Sequence, residues 1–200
     1  MYHHAPRKLA AALAAAAMTL TLSACGSDDS TSDPSAIQTA DNGDVFNGAD
    51  VTFAQDMIPH HAQAIEMVEL TEGRSLDPEV EELADAIRSA QDPELETMSG
   101  WLTAWGEDVP DTSSMDMGDM EMGDMSGMMT PEDMDTLATA PDTEFQDMWL
   151  SMMIEHHTGA VEMAQVEQTD GEFTGAVTLA EEIEASQSEE IATMEQLLAS

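Results

Sequence analysis

Residues 57–67 read MIPHHAQAIEM, and residues 153–163 read MIEHHTGAVEM. The offset of 96 residues between them persists into the following segment. Leu83, Ala84, Ile87, Gln91, Glu94, Thr97, Met98 and Leu102 return as Leu179, Ala180, Ile183, Gln187, Glu190, Thr193, Met194 and Leu198. A single register kept from residue 57 to residue 102 is the mark of an internal duplication. Two copies are too few for a repeat array, so a closed, pseudo-symmetric domain is expected. Within each copy the apolar residues recur at intervals of three and four, the period of an amphipathic helix. Each copy therefore reads as an αα-hairpin. Two hairpins that each bury one apolar stripe pair into an all-α four-helix bundle.

The boundaries follow from local signals. Thr52 with Gln55 reads as a capping box for the first helix. Asp77-Pro78-Glu79 offers a cap, a first-turn proline and an acidic first turn for the second. Asp142 starts the third helix, and Gly171 divides it from the fourth. Pro59 and Pro93 fall inside these patterns, where the other copy has Glu155 and Glu189. Kinked helices are expected there, with a helix start at either proline as the alternative. The bundle domain then spans residues 50–200, as a hairpin over 50–106, a crossover loop over 107–130 and a hairpin over 131–200. Residues 25–49 are polar and poor in large apolar groups, which predicts a flexible tether.

Outside the first two dozen residues, the histidines are His60, His61, His156 and His157. On a helical wheel advancing about 100° per residue, Phe53, Met57, His60, Ala64 and Met67 share an arc of about 80°. His61 falls between Met57 and Ile65. Met153, His156, Ala160 and Met163 repeat the arrangement, with His157 near Ile154 and Val161. Both pairs thus face the core, and Glu66 and Glu162 face solvent. A buried imidazole needs both a donor and an acceptor partner, while these stripes offer thioethers and aliphatic groups. A soft ion supplies what is missing. Imidazole with thioether suits Cu(I), with Ag(I) as its surrogate, better than Zn, Mg or Ca. The competing reading is a structural core in which methionine fills irregular gaps.

Methionine is also gathered between the two copies. Met115, Met117, Met120, Met122, Met125, Met128, Met129 and Met134 are 8 of the 20 residues from 115 to 134. A thioether has no proton to lose and forms no disulfide, so it holds Cu(I) where a thiol would be oxidised. The interleaved Asp and Glu concentrate cations and offer oxygen to Cu(II). A mobile metal-binding loop is expected here.

The start of the chain reads as an export signal. Arg7 and Lys8 precede an apolar run over residues 9–22 that is too short to span a bilayer as a helix. Leu22-Ser23-Ala24-Cys25 follows and resembles a bacterial lipobox, which predicts cleavage after residue 24 and acylation of Cys25. The protein is then exported and held on the outer side of the membrane by its lipid. Removing residues 1–24 takes Arg7 and Lys8 away, leaving Arg74 and Arg88 as the permanent cations against 42 Asp and Glu. The formal charge of the whole chain is −38. Such a surface excludes electrostatic binding of nucleic acid and basic contacts with anionic lipid head groups. A single cysteine allows neither an internal disulfide nor a CxxC metal site.

The doubled HHxxAxxM pattern, each copy followed by a helix carrying Gln-x-x-Glu and a methionine, resembles the domain of unknown function 305 family over residues 50–200. The resemblance implies a ferritin-like four-helix bundle and the binding of copper or silver ions in metal tolerance. By position, it implies ligands among Met57, His60, His61, Met67, Met153, His156, His157 and Met163.

The expected function is therefore a lipid-anchored, extracytoplasmic copper- and silver-binding protein without enzymatic activity, which sequesters metal or hands it to a protein partner. One alternative is an adaptor with a structural His/Met core and no metal. A ferritin-like di-metal oxidase is the weaker alternative, since its centre needs Glu-x-x-His pairs and the chain has none.

Overall fold

The computed structural model describes residues 35–112 and 126–200. The export signal, Cys25, Met115, Met117, Met120, Met122 and Met125 lie outside the described residues. Those described form five helices and one small antiparallel sheet. The sheet pairs β1 (Gln38–Thr39) with β2 (Val45–Phe46). The helices are α1 (Gly48–Glu69), α2 (Pro78–Trp105), α3 (Pro131–Thr139), α4 (Asp142–Asp170) and α5 (Thr174–Leu198). Helix α1 packs on α2, α4 packs on α5, and α1 also packs on α4. No helix among the described residues is long and apolar enough to cross a membrane.

The four long helices share two apolar clusters. One contains Met67, Val68, Ile87, Leu137, Phe145, Trp149, Met153 and Met194. The other contains Phe46, Phe53, Met57, Met98, Leu102, Ala160, Leu179 and Ile183. Along α1 the second cluster comes first, and along α2 the order reverses; α4 and α5 show the same opposition. Each helix crosses from one cluster to the other at polar buried residues. At the crossing stand His60, His61 and Gln63 in α1, Gln91 in α2, His156 and His157 in α4, and Gln187 in α5, while Asp50 in α1 and Glu167 in α4 are buried away from it. The histidines thus lie in a polar layer between two greasy halves.

Several local expectations are corrected. The first helix is capped not by Thr52 and Gln55 but by Asn47, which accepts from the backbone of Ala49 and Asp50, while Asp50 accepts from the Asn47 N–H. Thr52 instead donates to the Gly48 carbonyl, 2.9 Å away. The last part of the expected tether, residues 38–49, is structured. Phe46 is 2% exposed and stacks on Trp105 at 4.5 Å between ring centroids, and both rings meet Phe173 or the surrounding core. The expected crossover loop also ends sooner than residue 130, because residues 126–129 dock on the helices, and Thr130 and Asp133 build a capping box for the unexpected helix α3. Pro59 and Pro93 sit inside continuous helices, so neither begins one. Asp77 does precede Pro78 at the start of α2, but its carboxylate accepts from Gln146 on α4 instead of capping its own helix.

One permanent cation serves this architecture. Arg74 donates to the carbonyls of Ala138 and Ala140 at 2.7 and 2.6 Å and lies 4.1 Å above the Phe145 ring. It fastens the α1–α2 connection to the end of α3.

Candidate metal centre

All four histidines are buried to 1% exposure or less. Helices α1 and α4 place His60 against His156, ring centroids 3.7 Å apart and planes inclined by 37°. The neighbouring rings turn toward the outer helices. His61 Nε2 lies 2.6 Å from Glu94 Oε2 on α2, and His157 Nε2 lies 2.7 Å from Glu190 Oε2 on α5. The two pairs occupy matching places under the 96-residue offset. His60 Nε2 donates to the carbonyl of Ser126 at 3.2 Å.

Five imidazole nitrogens in this layer have no hydrogen-bond partner: Nδ1 of His60, His61 and His157, and both nitrogens of His156. Burial pushes the His60 pKa down to about 3, with the charge of His61 acting the same way. Burial likewise holds His156 well below the usual imidazole value, and His60, His157 and His61 add to the effect. Both rings therefore stay neutral at physiological pH and keep a lone pair for a Lewis acid. Among the described residues, no three His, Cys, Asp or Glu side chains converge as a metal-binding group. Any site in this layer thus needs donors of another kind, and the buried methionines are the candidates at hand.

The methionines divide unequally. Met57, Met67 and Met153 are fully buried, Met67 and Met153 in one apolar cluster and Met57 in the other. Met163 departs from its counterpart Met67. It is half-buried and lines a surface pocket of about 350 Å³ with Phe53, Asp56, Val166 and Glu167. Met129 is 4% exposed and joins the cluster of Met67 and Met153, whereas Met128 is half-buried.

The end of the methionine-rich segment is fastened across the histidines. Gln63 on α1 donates to the Met129 carbonyl at 2.9 Å and accepts from the Met129 N–H at 2.7 Å. The Ser126 hydroxyl donates to Glu162 on α4 at 2.5 Å. Gly127 adopts φ +78°, and a Cβ there would stand 2.9 Å from the His156 carbonyl oxygen. On α4, Gly159 has no room for a side chain either, since a Cβ would overlap the Ser126 carbonyl. Gln63 and Gly159 are counterparts in the two copies. The two matching segments differ at this position, one gripping the strap and the other making way for it.

Sequence reasoning missed Glu94 and Glu190 as histidine partners, and Gln63, Gly127 and Gly159 as the strap's anchors. The glutamates were visible, since both stand among the positions that match between copies. Nothing local marks the glycines.

A family model described as "Domain of unknown function (DUF305)" matches residues 50–198. No curated protein matches the chain significantly in sequence. Among solved structures, a DUF305 protein from Streptomyces coelicolor is 38% identical, with a TM-score of 0.65 over 76% of this chain and 92% of that one. A DUF305 fragment from Deinococcus radiodurans is 29% identical, with a TM-score of 0.67 over 81% and 99%. CopM in its Cu(II)-bound form is 32% identical, with a TM-score of 0.64 over 75% and 95%. CopM also matches in Cu(I)-bound and Ag-bound forms. A mainly helical chain with paired histidines, matched by this model over most of its length, belongs to the DUF305 family.

Proposed function

We propose that this protein binds copper, chiefly as Cu(I) and also as Cu(II), with Ag(I) as a surrogate, and that it sequesters or transfers the ion without catalysing a reaction. The observation that carries the reading is the set of five imidazole nitrogens in a buried layer that find no partner among the protein groups, two rings of which burial keeps neutral. Leaving a buried polar atom unsatisfied costs about 1–3 kcal/mol. Repeating that cost around one layer is hard to explain by packing, and a soft cation would offset it. Thioethers of Met57, Met67, Met153 and Met129 line the apolar clusters on either side and are the natural soft co-ligands. The likeness to CopM, whose structures hold Cu(I), Cu(II) and Ag, supports the same choice of ion.

The architecture is read as two duplicated αα-hairpins closed into a ferritin-like four-helix bundle. Within each hairpin the two helices traverse the clusters in opposite order, while α2 and α4 traverse them in the same order, which fits a bundle whose hairpins are joined by one long crossover connection. The methionine-rich segment feeds this layer: Met115, Met117, Met120, Met122, Met125 and Met128 collect ions from an acidic surround, and residues 126–129 hold their end of the segment beside His60 and His156. Export and lipid attachment at Cys25 rest on the leader and the lipobox-like Leu22-Ser23-Ala24-Cys25. Two acyl chains would anchor the protein stably outside the membrane. Mass spectrometry of the native membrane-extracted protein tests that anchor, and an unmodified Cys25 contradicts it.

Anaerobic Cu(I) titration against a competing chelator tests the binding. The wild type is expected to retain Cu(I) at sites that disappear when His60, His61, His156 and His157 are replaced by alanine. Removing residues 112–125 is expected to lower the number of ions bound and leave the fold intact. Equal binding by the wild type and the histidine-free variant contradicts the reading.

A further inference from the structure

We infer that Glu94 and Glu190 are positioning residues of this layer: they fix His61 and His157 as Nε2–H tautomers and so make Nδ1 the atom each ring presents to a metal ion. The inference rests on the copper-binding reading and adds to it two residues and a ligating atom.

The chemistry of the partners dictates the tautomer. A carboxylate oxygen only accepts, so the nitrogen 2.6 Å from Glu94, or 2.7 Å from Glu190, carries the hydrogen. The neutral ring then has its lone pair on Nδ1. In both rings Nδ1 is the nitrogen left without a partner. His60 obeys the same logic, because its Nε2 meets the Ser126 carbonyl, which also only accepts. Three rings therefore point bare Nδ1 lone pairs into the protein. Gln91 and Gln187, one turn before Glu94 and Glu190, are 2% exposed and leave Oε1 partnerless as well. Five of the unsatisfied atoms on the layer residues are thus acceptors, and the sixth and seventh belong to His156, whose neutral ring supplies a single hydrogen. Five unpartnered acceptors against one unpartnered N–H suit a cation better than a hydrogen-bond network.

A purely structural pair would satisfy its ring and stop there. Here both pairs occur at the same 33-residue separation, and both leave the same nitrogen bare. The glutamates keep 17% of their side chains exposed, so they bring negative charge to the layer without being fully desolvated themselves. Such a charge raises the donor strength of the opposite nitrogen and supplies balance for a buried cation.

Two measurements test the inference on the full chain. In the metal-free wild type, nitrogen-15 NMR of the histidine rings is expected to find His61 and His157 protonated at Nε2 and bare at Nδ1. The double variant Glu94→Gln, Glu190→Gln can turn an amide N–H₂ toward Nε2 and impose the opposite tautomer. It is expected to lose about 10–100-fold in Cu(I) affinity, the usual effect of removing a ligand's outer partner, with stoichiometry kept. Should the variant not fold, the wild-type tautomers decide alone. Nδ1–H tautomers in the wild type overturn the inference, and so does a folded variant that binds Cu(I) as tightly as the wild type. A wild type that does not bind Cu(I) removes the copper reading itself, whereas a binding wild type beside an equally tight variant removes only the role of the glutamates.

Discussion

Gly159 is where a single atom matters most. Its hydrogen faces the Ser126 carbonyl, and that carbonyl accepts from His60. Gly159→Ala forces the strap off α4 or shifts the helix, and overpacking of this kind destabilises by about 1–3 kcal/mol. The expected outcome is a lower melting temperature together with a changed His60 ring signal. A variant that melts like the wild type with an unaltered His60 signal contradicts the account of the strap. At this scale the sequence was half legible. A helical wheel puts both histidine pairs on the apolar face, and all four rings are indeed buried. It cannot reveal which nitrogen meets which neighbour, because Glu94 and Glu190 come from other helices. The 96-residue match within the sequence contained that information: residues 61 and 94 return as 157 and 190 with identical types.

Helices were the most legible elements, since their three-and-four period is written along the chain itself. Their ends were less so. The α1 cap at Asn47 was hidden by the polar run before it, and its worth is partly nonlocal, because the Asn47 side chain also donates to the Asp170 carbonyl at 2.8 Å. Asn47→Ala is expected to lower stability by about 1–2 kcal/mol, measured by chemical denaturation. A change near zero contradicts its role as both cap and tie. The β1–β2 hairpin escaped notice for a similar reason: Phe46 finds its partner at Trp105, far away in sequence. Helix α3 was obscured differently. Thr130-Pro131 with Asp133 is an ordinary start signal, but it follows a stretch whose composition reads as loop. These elements limit how the methionine-rich segment can be removed. Deleting residues 112–125 spares the anchors, while extending the deletion to residue 129 also takes Met129 out of the core and leaves Gln63 without its partner. The longer deletion is expected to melt several degrees below the shorter one, and equal melting temperatures contradict the docking of residues 126–129.

Across the whole molecule, buried titrating groups set a pH window for the metal-free protein. His60 binds its proton only near pH 3 in the folded chain, against 6.5 as its ordinary value, and His156 is shifted in the same direction. The unfolded chain therefore holds more protons between these limits, and stability falls as pH drops through them. Glu167 acts in the opposite direction. Burial, and next the proximity of Asp50, raise its pKa from 4.5 to about 9. The folded chain then keeps a proton that the unfolded chain releases, and stability falls as pH rises through that range. Two histidines outweigh one glutamate where the windows overlap, so these groups place maximal stability near about pH 6.5. Melting temperature measured against pH in the presence of a chelator is expected to peak there, and Glu167→Gln should flatten the alkaline side. A profile that rises steadily to pH 9 contradicts this assignment.

The same neutral rings underlie the central claim, that the polar layer between the two apolar clusters is a seat for a soft monovalent cation. The most direct measurement is X-ray absorption at the copper edge on anaerobically loaded full-length protein, with and without the four histidines. The account predicts mixed nitrogen and sulfur scattering around Cu(I) in the wild type, with the nitrogen contribution lost in the quadruple alanine variant. Sulfur-only scattering that is identical in the two proteins would contradict it.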